Sequence, residues 1–293
     1  MTRRVPCRQS GFTLIEAIVV MVITGILVAG VAVFMVRPVE GYIDSVRRAE
    51  LTDNADVALR RMGRELRLAL PNSLRISGAC VEFIMTSAGG RYRDSGDGST
   101  GGIPFNWTDT TVCGTTPNNC KFDVMGLMPT NPAIAANDYI AIYNLGEGYN
   151  PANAYNYDTG TDACRAGGCN VAKVSSLAGN TVTLAANPFA AQSPPLPSPS
   201  ARFQVIPGGT KAVSYTCSGN QLLRYANYGF DAAQACPPTG TPATLAGATT
   251  ATCSFTYTAA ATGRNGLLQV QLDLSSGGES VSLFQQIHVD NAP

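Results

Sequence analysis

Residues 11–36 read GFTLIEAIVVMVITGILVAGVAVFMV, and this stretch decides the fold. From Phe12 to Val36 its single charge is Glu16. Twenty-five helical residues, at about 1.5 Å each, reach about 37 Å, enough to cross a hydrocarbon core about 30 Å thick. The ten residues before it, MTRRVPCRQS, carry Arg3, Arg4 and Arg8 and no acid, which predicts a cytoplasmic N-terminus with the remainder outside. The apolar run is too long for an ordinary secretory signal, and no small-residue cleavage site follows Val36. Glu16 is out of place in a plain anchor. A carboxylate at the centre of a bilayer costs on the order of 2–3 kcal/mol and marks a function. A buried carboxylate also needs a cationic partner.

The string G-F-T-L-I-E, Gly11 to Glu16, resembles the prepilin cleavage and methylation motif of type IV pilins and type II secretion pseudopilins. Basic leader, Gly-Phe junction, glutamate at the fifth position after the junction and a long apolar helix all coincide. The resemblance implies that a prepilin peptidase cuts between Gly11 and Phe12 and methylates the new Phe12 amine. It implies that Glu16 faces the free amine of a neighbouring subunit in the filament. The partners it brings are the major pilin, other minor pilins, an inner-membrane assembly platform and membrane lipid. The location it brings is a single pass of the bacterial inner membrane with a periplasmic head, then a pilus or pseudopilus. One departure stands out: many pilin helices carry a kinking proline about two-thirds along the apolar span. Here Gly30, Val31, Ala32 and Val33 occupy that stretch, and the first proline of the helix is Pro38.

From Val39 to Leu70 apolar residues recur mostly three or four apart, the spacing of an amphipathic helix that Pro71 closes. Its polar face holds Arg47, Arg48, Asp53, Arg60, Arg61, Arg64 and Arg67 among acids, so it reads as a solvated, ion-paired face rather than a nucleic-acid surface. After Pro71 the composition turns to Gly, Pro, Ser, Thr and Asn with short β-rich runs. Strands are predicted at Cys80–Thr86, Asp138–Asn144, Val171–Ser176, Thr181–Leu184, Arg202–Ile206, Ala212–Cys217, Gln221–Tyr225, Ser254–Thr258, Leu267–Leu274 and Ser280–Val289. Between them lie long connections at 89–137, 145–170 and 230–252. Connections of that length are the places for partner contacts. The expected organisation is a leader over 1–11, a transmembrane helix over 12–36, a periplasmic amphipathic helix over 37–71 and a β-rich head over 72–293. The fold class is α+β and type IV pilin-like: a long N-terminal helix packed on an antiparallel β-sheet head with long disulfide-stapled loops.

Composition narrows the chemistry. The chain has 293 residues, twenty basic and twenty acidic, and one histidine, His288. Zero net charge argues against nucleic-acid binding by bulk electrostatics. One histidine excludes multi-histidine metal sites, and no C-x-x-C pair supports zinc, so neither metal nor cofactor is expected. Asp94 and Asp97 lack the spacing of a calcium loop. No nucleophile elbow, zincin, P-loop or dinucleotide fingerprint is present, so no enzyme activity is expected. Nine cysteines are odd, but loss of the leader removes Cys7. The remaining eight can pair fully in an oxidising compartment. Short separations favour Cys113 with Cys120 and Cys164 with Cys169; strand ends favour Cys217 with Cys253, leaving Cys80 with Cys236. Without Arg3, Arg4 and Arg8 the mature chain holds seventeen bases against twenty acids, a formal −3.

Phrases in the head, LALPNSLRIS at 68–77, EFIMTSAGGRYR at 82–93, DYIAIYN at 138–144 and the ending QIHVDNAP, resemble minor pilins of the mannose-sensitive haemagglutinin (MSHA) type IV pilus set. J-type pseudopilins of type II secretion and W-type minor pilins are more distant likenesses. The resemblance implies a few-copy subunit that initiates or caps the pilus. The alternatives are a J-type pseudopilin, a minor pilin whose long loops also bind a sugar or DNA, and, least favoured, an anchored periplasmic enzyme.

Overall fold

The computed structural model describes residues 11–95, 101–259 and 265–293. Residues 1–10 of the leader, with Cys7, and Asp97 lie outside the described residues. The chain divides between Glu50 and Leu51 into two compact units.

One helix, α1, runs from Leu14 to Leu66 through Pro38. Proline has no N–H, so the Phe34 carbonyl lacks its usual helical donor there. In the first unit the large apolar side chains from Leu14 to Met35 are exposed all round. The most apolar eighteen residues have a mean hydropathy of 2.8, and none of that window is buried. The helix is long and apolar enough to cross a membrane.

In the second unit the last turns of α1 bury Leu51, Ala55, Ala58, Leu59, Met62 and Leu66, spaced three or four apart. The helix stops at Leu66, short of the Pro71 expected from sequence. The backbone is drawn into the sheet before the proline is reached: Leu70 N–H donates to Ile84 O at 2.7 Å, and Thr86 N–H donates to Leu68 O at 2.7 Å.

The strands that follow are β1 (Arg75–Ser77), β2 (Cys80–Ile84), β3 (Ala88–Tyr92), β4 (Lys121–Met125), β5 (Tyr139–Ala141), β6 (Tyr157–Asp158), β7 (Ala163–Cys164) and β8 (Val171–Ala178). Then come β9 (Thr181–Leu184), β10 (Arg202–Ile206), β11 (Ala212–Ser218), β12 (Gln221–Ala226), β13 (Ala243–Gly247), β14 (Thr250–Thr258), β15 (Asn265–Ser276) and β16 (Glu279–Asp290). They form a five-stranded sheet, β1-β2-β11-β12-β13, and a closed barrel, β10-β3-β4-β9-β8-β5. A three-stranded sheet, β14-β15-β16, and the small β6-β7 pair complete the head.

The hairpins follow their turn residues. Ser218 pairs with Gln221 across Gly219–Asn220, whose φ angles are +57° and +67°. Ser276 pairs with Glu279 across Gly277–Gly278, at +59° and +89°. Both are two-residue loops with positive φ at both positions, matched to strand twist.

The barrel is the main departure from the sequence reading. The stretches 89–137 and 145–170, expected as loops, contribute β3, β4, β6 and β7. The stretch 230–252 likewise contains β13 and the start of β14. Gly89 and Gly90 weaken a strand signal, yet they are required here. A Cβ on Gly90 would lie 2.5 Å from the Phe203 ring, which fills the barrel. Phe105, from the connection after β3, is itself buried against Tyr92, Trp107, Phe122 and Phe189.

Three cores result. The last turns of α1 share one with residues of the five-stranded and three-stranded sheets. The barrel encloses the second. The third joins the barrel to the five-stranded sheet through Leu70, Ile84, Tyr139, Tyr155 and Phe230.

Candidate functional site

The site predicted from sequence is the start of α1. Thr13 caps the helix: its carbonyl accepts from Ala17 N–H at 3.2 Å, and its hydroxyl accepts from Glu16 N–H at 3.4 Å and donates to Glu16 Oε2 at 3.4 Å. This threonine three residues ahead of a glutamate is the sequence of a capping box. A carboxylate in the first turn also complements the unsatisfied N–H groups there. Phe12 is 76% exposed and nothing crowds Gly11. The Gly11–Phe12 bond therefore lies outside the helix, in chain that a peptidase can take in extended form. Glu16 is exposed four residues beyond Phe12. The local sequence thus places a carboxylate beside the end that cleavage would turn into a cation.

Two charge networks in the head hold structure rather than present chemistry. On α1, Glu65 accepts from Tyr215 Oη at 2.6 Å, Arg224 Nε at 2.7 Å and Arg61 Nε at 3.3 Å. Burial pushes the Glu65 carboxyl up, but these three donors outweigh it and hold it below its ordinary value. In the second network Arg75 donates to Glu82 Oε2 at 2.5 Å and to the Ala232 and Asp231 carbonyls, and lies 3.6 Å over the Tyr155 ring. Glu82 also accepts from Tyr228 Oη at 2.8 Å. Burial dominates here and pushes Glu82 up despite Arg75 and Tyr228. Neither network was visible in the sequence: Glu65 and Arg224 are 159 residues apart. A periodic helix face was the one available signal.

The arginine face of α1 is ion-paired where expected, with Arg60 on Asp56 at 2.7 Å and Arg61 on Glu65. Asp94 accepts from Ser95 N–H in a local turn. His288 is exposed on β16. Among the described residues no group of three or more metal-binding side chains is found.

The structure joins Cys80 to Cys236, Cys113 to Cys120, Cys164 to Cys169 and Cys217 to Cys253, the four pairs reasoned from spacing and strand ends. The two short staples flank a cavity of about 660 Å³. Its wall includes Thr111, Cys113, Cys164, Asn187 and Gln192, and its charges, Asp162 and Lys173, neutralise each other at 2.6 Å.

Comparison with known protein families matches the prokaryotic N-terminal methylation motif over residues 6–32. No curated protein and no solved structure matches the chain. The motif implies processing by a prepilin peptidase and assembly partners of the pilin kind. With one apolar N-terminal helix and a disulfide-stapled antiparallel β head, the chain has an α+β, type IV pilin-like fold that fits a membrane-anchored pilin.

Proposed function

We propose that this chain is a minor pilin or pseudopilin, an assembly subunit and not an enzyme. In this reading it is cut after Gly11, methylated at Phe12 and drawn into a type IV filament of the MSHA kind through Glu16. It initiates or caps the filament, because a head of over 220 residues would crowd a repeating shaft. The observation that carries the reading is Glu16: one exposed carboxylate in the first turn of α1, the single charge from Phe12 to Val36, four residues behind the Gly-Phe junction. Cleavage creates the cation that such a carboxylate needs. Intact mass of the membrane-extracted protein, reduced and unreduced, tests it. The expected mass lacks residues 1–11 and carries one methyl group and four disulfides; a mass retaining the leader overturns it.

The cavity between the two short staples favours a second reading, a minor pilin that also binds a small neutral ligand. Its volume lies within the range of small-molecule sites. Filling it with Ala186→Trp would abolish adhesion without loss of filaments if this reading holds.

A further inference from the structure

The cavity flanked by Cys113–Cys120 and Cys164–Cys169 is roomy because small side chains build much of its wall. Ala163, Ala172, Ala185, Ala186 and Ala191 all line it and leave a volume of about 660 Å³. Their methyl groups give apolar surface without any directional demand. Val112, in the same wall, is 76% exposed, so apolar area is still open to be covered there.

The other groups of the wall are mostly engaged within the protein. Among the described residues its charges are Asp162 and Lys173, which meet each other at 2.6 Å. A charged ligand would shed its water with no free counter-charge in return. The aromatic residue of the wall is Tyr157, which is buried and packs edge-on against Tyr139 and Phe230, so it offers no open face for stacking. Gln192 donates from Nε2 to Cys169 O at 3.1 Å and accepts at Oε1 from Leu196 N–H at 3.2 Å. Asn187 differs. It spends both amide hydrogens, on Asn106 O at 2.8 Å and Asn119 O at 3.0 Å, while its enclosed Oδ1 has no hydrogen-bond partner. An enclosed acceptor without a donor is a standing cost that an entering hydroxyl would remove.

We propose that the cavity binds a neutral aliphatic alcohol, whose carbon chain lies along the alanines and whose hydroxyl donates to Asn187 Oδ1. This rests on the second reading above, a small neutral ligand in the same cavity, and names its class. A carboxylate or phosphate would bring acceptors to an acceptor. An alkylammonium would compete with Lys173 for Asp162. A plain hydrocarbon or an ether would cover the methyl groups and leave Asn187 Oδ1 unpaired. A sugar would bury many hydroxyls where the wall has one unmet acceptor on Asn187 and no open ring face on Tyr157.

The test uses the full chain in lipid nanodiscs with tritiated octanol. The Ala186→Trp chain in the same nanodiscs measures partition into lipid. Ala186 is exposed, so the larger ring should fill the cavity with the melting temperature unchanged. Saturable binding above that background is expected. Octyl methyl ether, which keeps the chain and lacks the donor, should displace the label about ten-fold less well than unlabelled octanol. Octanoate, octylammonium and glucose should also displace it less well than octanol. No binding above background, equal displacement by the ether, or better displacement by a charged compound or glucose overturns the proposal. Adhesion of the filaments separates the two readings. If Ala186→Trp filaments no longer adhere and the parent chain binds no octanol, the alcohol is overturned and the neutral-ligand reading stands; if they still adhere and no octanol binds, both are overturned.

Discussion

The two halves of α1 are one continuous helix written for two solvents. From Leu14 to Met35 apolar side chains point in every direction and are exposed. From Leu51 to Leu66 all but the exposed Val57 occupy one stripe, and that stripe is buried. A helix apolar all round matches lipid or neighbouring helices; a helix apolar along one stripe matches the core of its own chain. The difference teaches where each half finds its partners: the second within the fold, the first outside it. On the function proposed above, Glu16 would commit the first half to assembly; Glu65, bound by Tyr215 and Arg224, attaches the second to the head.

Substitutions in the outer half should act on assembly alone. Gly11→Val is expected to abolish leader removal completely, read as an unprocessed intact mass, and Glu16→Leu to leave processing intact while abolishing incorporation into filaments, read by immunoblot of sheared filaments. Neither should move the unfolding transition of the head. In the inner half the order reverses. Met62 is fully buried among helix and sheet residues, so Met62→Ala should cost about 2–5 kcal/mol in denaturant unfolding. Ile26→Ala, the same kind of truncation in the exposed half, should cost the head nothing. A similar loss from both would erase the distinction between the halves.

Opening Cys217–Cys253 with Cys217→Ala, Cys253→Ala should cost about 2–4 kcal/mol, measured by the same unfolding. Acid separates the two carboxylates of the head. Glu65 is held below its ordinary value of 4.5, so its contribution is present above that pH and is lost as pH falls through its lowered folded value. Glu82 is raised, so the folded state takes up its proton more readily and gains stability as pH falls through the raised value. Stability measured from pH 6 downward should therefore fall less steeply in Glu65→Gln and more steeply in Glu82→Gln, and equal slopes would refute this. The smallest effect concerns Gln285, whose buried Oε1 has no hydrogen-bond partner and whose Nε2 lies 3.4 Å from where a Cβ on Gly63 of α1 would stand. Gln285→Met removes the unpaired acceptor and should raise stability by about 1 kcal/mol.

What could be read from sequence divides along the same line as locality. The apolar run, the capping Thr13 with Glu16, the three-four stripe of Leu51 to Leu66 and the glycine-containing hairpins are all written within a few neighbours. The short disulfides are local too. The barrel is not: β3 pairs with β10, over a hundred residues later, and its Gly89–Gly90 suits the strand only because Phe203 stands opposite. The end of α1 escaped for a similar reason, since the carbonyl of Ile84, not Pro71, takes the chain out of the helix. The Glu65–Tyr215–Arg224 contact joins three polar residues whose roles appear only when helix and sheet meet.

The disulfide Cys80–Cys236 has a mechanical consequence. It spans 156 residues and so encloses all six barrel strands together with β11 and β12. A subunit pulled by its helix and held at its C-terminal strands would carry tension across that sulfur bridge, bypassing the enclosed chain. At about 3.5 Å per extended residue, roughly 540 Å of contour is withheld from stretching. From Cys236 the load runs along the chain into β14 at Cys253 and on into the sheet that ends in β16, and Cys217–Cys253 ties that path to β11. Under tension the barrel is cargo, and the helix, the Cys80–Cys236 bridge and the terminal strands are the rope.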